Sequence, residues 1–220
     1  MQPATPLRVV SYTDGFNLYF GLRDSGWRRF YWLDIHLLSH NLLRPDQHLV
    51  RTKYFTSRIS GARQGLPGPL ASKVKAKRKR QSDYLEALAT RPGLEIYEGH
   101  YLEKSMHCNA CGAIWASHEE KMTDVNIATE ILVDAHQDIF DVALIISADS
   151  DLVPPVQAVR RLFPQKQVVA AFPPGRFSAN MKSAATAQFV IGRGKISQSQ
   201  LPDQIAKPNG YVLHRPATWK

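Results

Sequence analysis

Short apolar runs alternate along the chain with segments whose apolar residues recur at helical spacing. Residues 7–13 (Leu-Arg-Val-Val-Ser-Tyr-Thr) are rich in β-branched side chains and read as a first strand, which Asp14-Gly15 ends. Helices are predicted over 16–26 and 33–43, the second with Leu33, Leu37 and Leu38 at turn spacing. A second strand is predicted over 49–56, a loop over the Gly/Pro cluster 61–69, a helix over 70–89 and a third strand over 94–102. Residues 103–119 read as a polar excursion. The segment 124–136 reads as a strong helix with Val125, Ala128, Ile131, Leu132 and Ala135 on one face. A strand at 142–147, a helix at 153–163, a strand at 167–172, a helix at 178–187 and a short strand at 189–191 follow. From Lys195 onward, with Pro202, Pro208 and Pro216, an irregular tail is expected after one short turn.

Strands and helices taking turns in this way predict a three-layer α/β/α fold with a mainly parallel central sheet covered on both faces. The expected organisation is one domain over 1–194, interrupted by the excursion near 103–119. A C-terminal segment, 195–220, is expected to pack on that domain or extend it. No stretch of about 18 apolar residues is present, which excludes a transmembrane helix. The first residues lack a basic segment followed by an apolar one, so no secretory leader is expected. Two cysteines, Cys108 and Cys111, are too few and too close for a disulfide framework, and a cytoplasmic setting fits them best.

Charge changes this picture. The net charge is +9, and the stretch between Asp46 and Asp83 contains no acidic residue. It carries Arg51, Lys53, Arg58, Arg63, Lys73, Lys75, Lys77, Arg78, Lys79 and Arg80. Such a block suits a polyanion, because phosphate contacts dominate nucleic-acid affinity. A solvated helix face is the plainer reading. A membrane surface is disfavoured, since 73–80 holds almost no large apolar side chain.

The candidate chemistry is acidic. Asp14 follows the first strand, Asp124 opens a helix, and Asp149 and Asp151 follow the apolar run 144–146. Carboxylates at the carboxyl ends of parallel strands sit where ligands bind, and a divalent cation removes their mutual repulsion. Each also has a bland alternative: Asp14 as a helix cap, Ser150 or Asp151 as the cap before Pro154-Pro155, Asp124 as a charge at a helix N-terminus. Asn17 could orient a phosphate or a water, and Lys121 could pair with Asp124 or reach a scissile phosphate. Tyr12, Phe16, Tyr19 and Trp27 are candidate stacking residues, though such aromatics more often lie in a core. Cys108 and Cys111 have the spacing of half a tetrahedral zinc site, with His100, His107 or His118 to complete it. A turn with two reduced thiols is the alternative. No phosphate-binding loop and no Gly-x-Ser-x-Gly elbow is present.

Assembled, these residues resemble the NYN domain family, the LabA-like branch of the PIN-like nucleases. The matching text is Asp14-Gly15-Phe16-Asn17, then Arg80-Gln81 with Tyr84-Leu85 and Ala87-Leu88, and Gly99-His100-Tyr101. It continues with Glu120-Lys121-x-x-Asp124-Val125, Ile127-Ala128-Thr129 and Ser147-Ala148-Asp149-Ser150-Asp151-Leu152, with Ser178 and Leu201-Pro202-Asp203 beyond. The resemblance spans about residues 7 to 216. It implies a Rossmann-like PIN fold whose Asp14, Asp124, Asp149 and Asp151 hold Mg²⁺ or Mn²⁺ and cut RNA, with Asn17 in support and a Cys-x-x-Cys-Gly segment as in relatives. Gln188 stands where the family often has Asp, and Ala148 where many relatives have Gly. The function expected is a metal-dependent endoribonuclease whose RNA contacts are Lys73, Lys77, Arg78, Arg80 and Lys121. The alternative is a non-catalytic RNA-binding or regulatory module. A phosphatase using Asp149 and Asp151 ranks last, because the first strand lacks the usual Asp-x-Asp. A homo-oligomer is compatible with the sequence, which does not decide it.

Overall fold

The structure is a computed structural model that describes residues 5–59 and 68–220. Its centre is a seven-stranded sheet: β1 (Leu7–Asp14), β2 (Gln47–Ser57), β3 (Leu94–His107), β4 (Ile114–Lys121), β5 (Val142–Ile146), β6 (Gln167–Phe172) and β7 (Ala187–Val190). The order is β4-β3-β2-β1-β5-β6-β7, with every pairing parallel except the edge pair β3–β4. The helices are α1 (Gly15–Asp24), α2 (Ile35–Asn41), α3 (Gly68–Leu88), α4 (Thr123–His136), α5 (Val153–Leu162), α6 (Ala179–Ala184) and α7 (Arg193–Gln198).

Alternation along β1 explains the layers. Val9 belongs to one core with Leu18 and Leu22 of α1, Ile35 and Leu38 of α2, Leu85 and Leu88 of α3, and Ile196 of α7. Val10 and Tyr12 belong to the other, with Ile127 and Ile131 of α4, Val156 and Val159 of α5, and Met181 of α6. A strand buried on both faces must be apolar on both, and β5, Val-Ala-Leu-Ile-Ile, is buried throughout. The three-layer arrangement expected from the sequence is therefore present.

The chain leaves β1 towards β2 and β3 on one side, and later fills β5 to β7 on the other. The crevice between the carboxyl ends of β1 and β5 is thus a topological switch point, where open α/β sheets place ligands. Reaching α1 from β1 requires Gly15. A Cβ there would stand 2.6 Å from the Tyr54 hydroxyl and 2.7 Å from the Phe55 carbonyl oxygen.

Three expectations need correction. Residues 103–119 are mostly strand: β3 continues to His107 and pairs with β4 in an antiparallel hairpin, and only the tip between them is turn. The tail is not irregular either. After α7, the strands β8 (Gln204–Ala206) and β9 (Val212–His214) form a small hairpin, and Leu201 and Leu213 are buried in the α1–α3 core. Trp219 anchors the segment, its ring meeting Tyr31, Trp32 and Tyr84. On α4, Val125, expected on the apolar face, is 63% exposed, and Ile127, not expected there, is fully buried. The predicted loop over 61–69, together with Arg63, falls almost wholly outside the described residues. Among the described residues no helix is long and apolar enough to cross a membrane.

Candidate metal centre

Three of the four aspartates converge. Asp14, Asp124 and Asp149 each present an oxygen, and the three atoms all lie within 4.8 Å of one another. Asp14 is the last residue of β1, Asp149 follows β5 by three positions, and Asp124 lies in the first turn of α4. Crossover from opposite sides of the switch point thus brings together residues more than a hundred positions apart.

The capping roles that competed with a ligand role in the sequence turn out to fix the site. Asp14 Oδ1 accepts the amides of Phe16 at 3.1 Å and Asn17 at 2.9 Å, capping α1. Its other oxygen accepts the Ser147 hydroxyl at 3.0 Å. Asp149 Oδ1 accepts the Asp151 amide at 3.0 Å and so caps a 3₁₀ turn, Ser150–Leu152, that leads into α5. Neither Ser150 nor Asp151 caps that helix. The Asp149 amide in turn donates to Ser147 Oγ at 3.0 Å. Caps of this kind fix the orientation of the carboxylate that makes them.

Asn17 joins the two acidic loops. Its side-chain oxygen accepts the Ala148 amide at 3.0 Å, which orients the NH₂ group as a donor. Asp151 is exposed and stands outside the group of three, yet its charge is felt there. Asp124 has its carboxyl pushed up by burial, then by Asp149 and by Asp151. A carboxylate whose neighbours resist its ionisation is a good ligand for a cation, which reverses the sign of the local field. The donor set of three oxygens fits a hard divalent ion.

A second polar cluster, missed in the sequence, holds α4 in register. Lys53 of β2 is 2% exposed and pairs with Glu130 at 2.6 Å and Asp134 at 2.7 Å. The Tyr12 hydroxyl donates to Asp134 at 2.6 Å, and the Tyr97 hydroxyl to Glu130 at 3.0 Å. Burial foremost, and then Asp134, keeps the Tyr12 phenol protonated by pushing its pKa well up. The clasp joins β1, β2 and β3 to the helix that carries Asp124. Tyr12 is fully buried within it, so it is not a stacking residue. The signal that could have found the clasp is the Glu130/Asp134 pair at i, i+4, opposite a lysine inside a strand.

The other sequence candidates separate. Lys73, Lys77 and Arg80 recur at i, i+4, i+7 and form one stripe of α3, while Arg78 lies off it. Phe16 and Tyr19 line a cavity between α1 and α3, together with Lys77 and Arg80, whereas Trp27 packs against the core. The side chains of Lys121, Glu120, His100 and His118 lie outside the described residues. Gln188 is on β7, three strands from β1, about 14 Å away at ordinary strand spacing.

Cys108 and Cys111 occupy the hairpin tip. The Cys108 amide donates to Ala113 O and the Gly112 amide to Cys108 O, both at 2.8 Å, with Gly112 at φ +70°. The amides of Cys111 and Ala110 hold the Cys108 thiol below its ordinary range. Among the described residues no third His, Cys, Asp or Glu joins the pair as a metal ligand.

Three carboxylates gathered at the switch point of a parallel sheet covered on both faces place a candidate metal site where α/β folds bind ligands. The NYN domain profile matches residues 8–197, and the chain belongs to that family, which points to the PIN-like nucleases. Among curated proteins, 6-hydroxy-3-succinoylpyridine 3-monooxygenase HspA of Pseudomonas putida is 29% identical over 251 residues. That match covers 97% of this chain and 76% of the relative. Among solved structures, a Vibrio parahaemolyticus protein of unknown function superposes with a TM-score of 0.54 at 17% identity. It covers 88% of this chain and 98% of its own, and that likeness concerns the fold alone.

Proposed function

We propose that the chain is a divalent-metal-dependent ribonuclease that hydrolyses RNA phosphodiester bonds. The observation that carries this reading is the approach of Asp14, Asp124 and Asp149 to within 4.8 Å in a protein of the NYN family. These three residues would hold Mg²⁺ or Mn²⁺, both hard cations that prefer oxygen ligands. Such an ion, when bound, acidifies a water and offsets charge on a scissile phosphate. The chain's own residues do the rest. Ser147 and the α1 amides hold Asp14 in one rotamer, and the 3₁₀ turn holds Asp149. Asp151 adds negative charge at the rim, the NH₂ of Asn17 can donate to a phosphate oxygen, and the Lys73–Lys77–Arg80 stripe would track the RNA backbone. Lys121, two positions before α4, and Arg78 would supply further phosphate contacts.

Incubation of the full chain with end-labelled RNA and single-stranded DNA oligomers tests this. Cleavage of RNA in Mg²⁺ or Mn²⁺, abolished by a chelator, is expected. RNA left intact across both metals would overturn the reading.

One observation favours a second reading, action on a substituted pyridine of the kind that the Pseudomonas relative's name gives for that protein. It is the ring-lined, cationic cavity whose wall begins at Gly15 and Phe16, immediately after Asp14. Turnover of 6-hydroxy-3-succinoylpyridine by a preparation that leaves RNA intact would establish it in place of the first.

A further inference from the structure

We propose that the cavity between α1 and α3 is a binding site, separate from the three aspartates, for a planar aromatic ring that carries an anionic group. It encloses about 440 Å³, inside the range of roughly 300–1,000 Å³ usual for small-ligand sites. It lies on the α1–α3 face of the sheet, away from α4, and Thr56 at the end of β2 forms part of its wall.

The lining selects the ligand by chemistry. Tyr19 and Tyr31 contribute rings with centroids 5.1 Å apart at 53°, and Trp219 meets Tyr31 at 5.7 Å and 78°. Rings at such angles form a corner of faces and edges, which a flat ring from outside can complete. Among the described residues, the charged ones of the wall are Arg23, Arg28, Lys77 and Arg80, with no Asp or Glu. Arg23 is engaged by Asp24 at 2.8 Å and lies over Phe20. Among the described residues, Arg28, Lys77 and Arg80 have no carboxylate at ion-pair distance.

An aliphatic anion would satisfy these cations and leave the ring faces unmatched, and a neutral ring would do the reverse. A ligand with both parts matches both, and arginine serves it twice, by stacking and by pairing. Two sources offer that chemistry: a nucleotide of an RNA strand, whose phosphate would meet the α3 stripe, or a free aromatic acid. The site does not depend on the aspartates, so it stands or falls independently of RNA cleavage.

Isothermal titration calorimetry on the full chain tests it with five probes: AMP, UMP, nicotinate, adenosine and inorganic phosphate. Saturable binding of at least one ring-bearing anion is expected, at least about tenfold tighter than adenosine or phosphate. Arg80→Ala and Lys77→Ala, both in the α3 wall of the cavity, should each weaken it about tenfold, and Trp219→Ala should weaken it as well. Asp149→Asn should leave it unchanged. Preference for the nucleotides assigns the site to RNA, and preference for nicotinate assigns it to a free acid. No saturable binding by any ring-bearing anion, binding of phosphate alone as tight as AMP, or affinity indifferent to both Arg80→Ala and Lys77→Ala would overturn the proposal.

Discussion

The Ser147 hydroxyl donates to Asp14 Oδ2 at 3.0 Å, deep in the crevice between β1 and β5. Ser147 Oγ itself accepts the Asp149 amide, so one buried hydroxyl sets the spacing of two of the three carboxylates. Partners of this kind orient ligands, and their loss commonly weakens metal affinity or activity by about ten- to a hundredfold. Ser147→Ala is expected to weaken Mn²⁺ binding by that factor, and to cost about 1–3 kcal/mol of stability through the groups left unpaired. Calorimetric titration of Mn²⁺ into the variant is the check, and an unchanged affinity would remove Ser147 from the site.

Lys53→Met tests the clasp on α4. Removing the only cation of that cluster among the described residues leaves Glu130 and Asp134 facing each other, with Asp134 4% exposed. Breaking a buried pair in this way costs about 3–5 kcal/mol. Urea unfolding should show that loss, and a change below about 1 kcal/mol would mean that the clasp contributes little.

Much of this was legible in the chain, for reasons that differ by residue. Asp14 and Asp149 end apolar runs, and a strand that stops at a carboxylate announces itself. Asp124 was legible because it opens a strongly patterned helix. Lys53 was not, because its partners lie 77 and 81 positions away and its burial is decided by tertiary packing alone. The same packing rotates α4 so that Ile127 faces the core and Val125 faces solvent. The β3–β4 hairpin escaped notice because its strands sit at a sheet edge and carry polar residues. The β8–β9 hairpin escaped because three-residue strands between prolines show no period to read. Convergence of the three aspartates was an expectation of family resemblance, and strand order supplies its physical cause.

Acid stability should depend on Asp141. Hydrogen bonds from the Arg8 side chain hold its carboxyl down at about 2. A depressed carboxyl contributes stability above its unfolded pKa, about 3.9, and loses it as pH falls through the folded value. Wild type should therefore weaken between about pH 4 and pH 2. Asp141→Asn should be less stable at pH 6 and flatter across that window. Urea midpoints at pH 6 and pH 3 decide this, and parallel curves for the two proteins would contradict it.

Divalent metal should stabilise the fold. A ligand at about a hundred times its Kd adds about 2.7 kcal/mol, which for a chain of this size is roughly 5–11 °C in Tm. Mg²⁺ or Mn²⁺ should raise Tm saturably in wild type and leave Asp149→Asn unmoved. Ca²⁺-free buffer with a chelator gives the baseline, and equal shifts in both proteins would place the metal elsewhere.

The account's central claim is that Asp14, Asp124 and Asp149 act as one unit on RNA. Rates of RNA cleavage in Mn²⁺ for Asp14→Asn, Asp124→Asn, Asp149→Asn and the Asp14→Asn/Asp149→Asn pair test it most directly. Residues that share one ion are strongly non-additive. Each single variant should fall at least about a hundredfold, with the pair little below the worse single. Cleavage undiminished in any of the three, or losses that multiply as for independent sites, would contradict it.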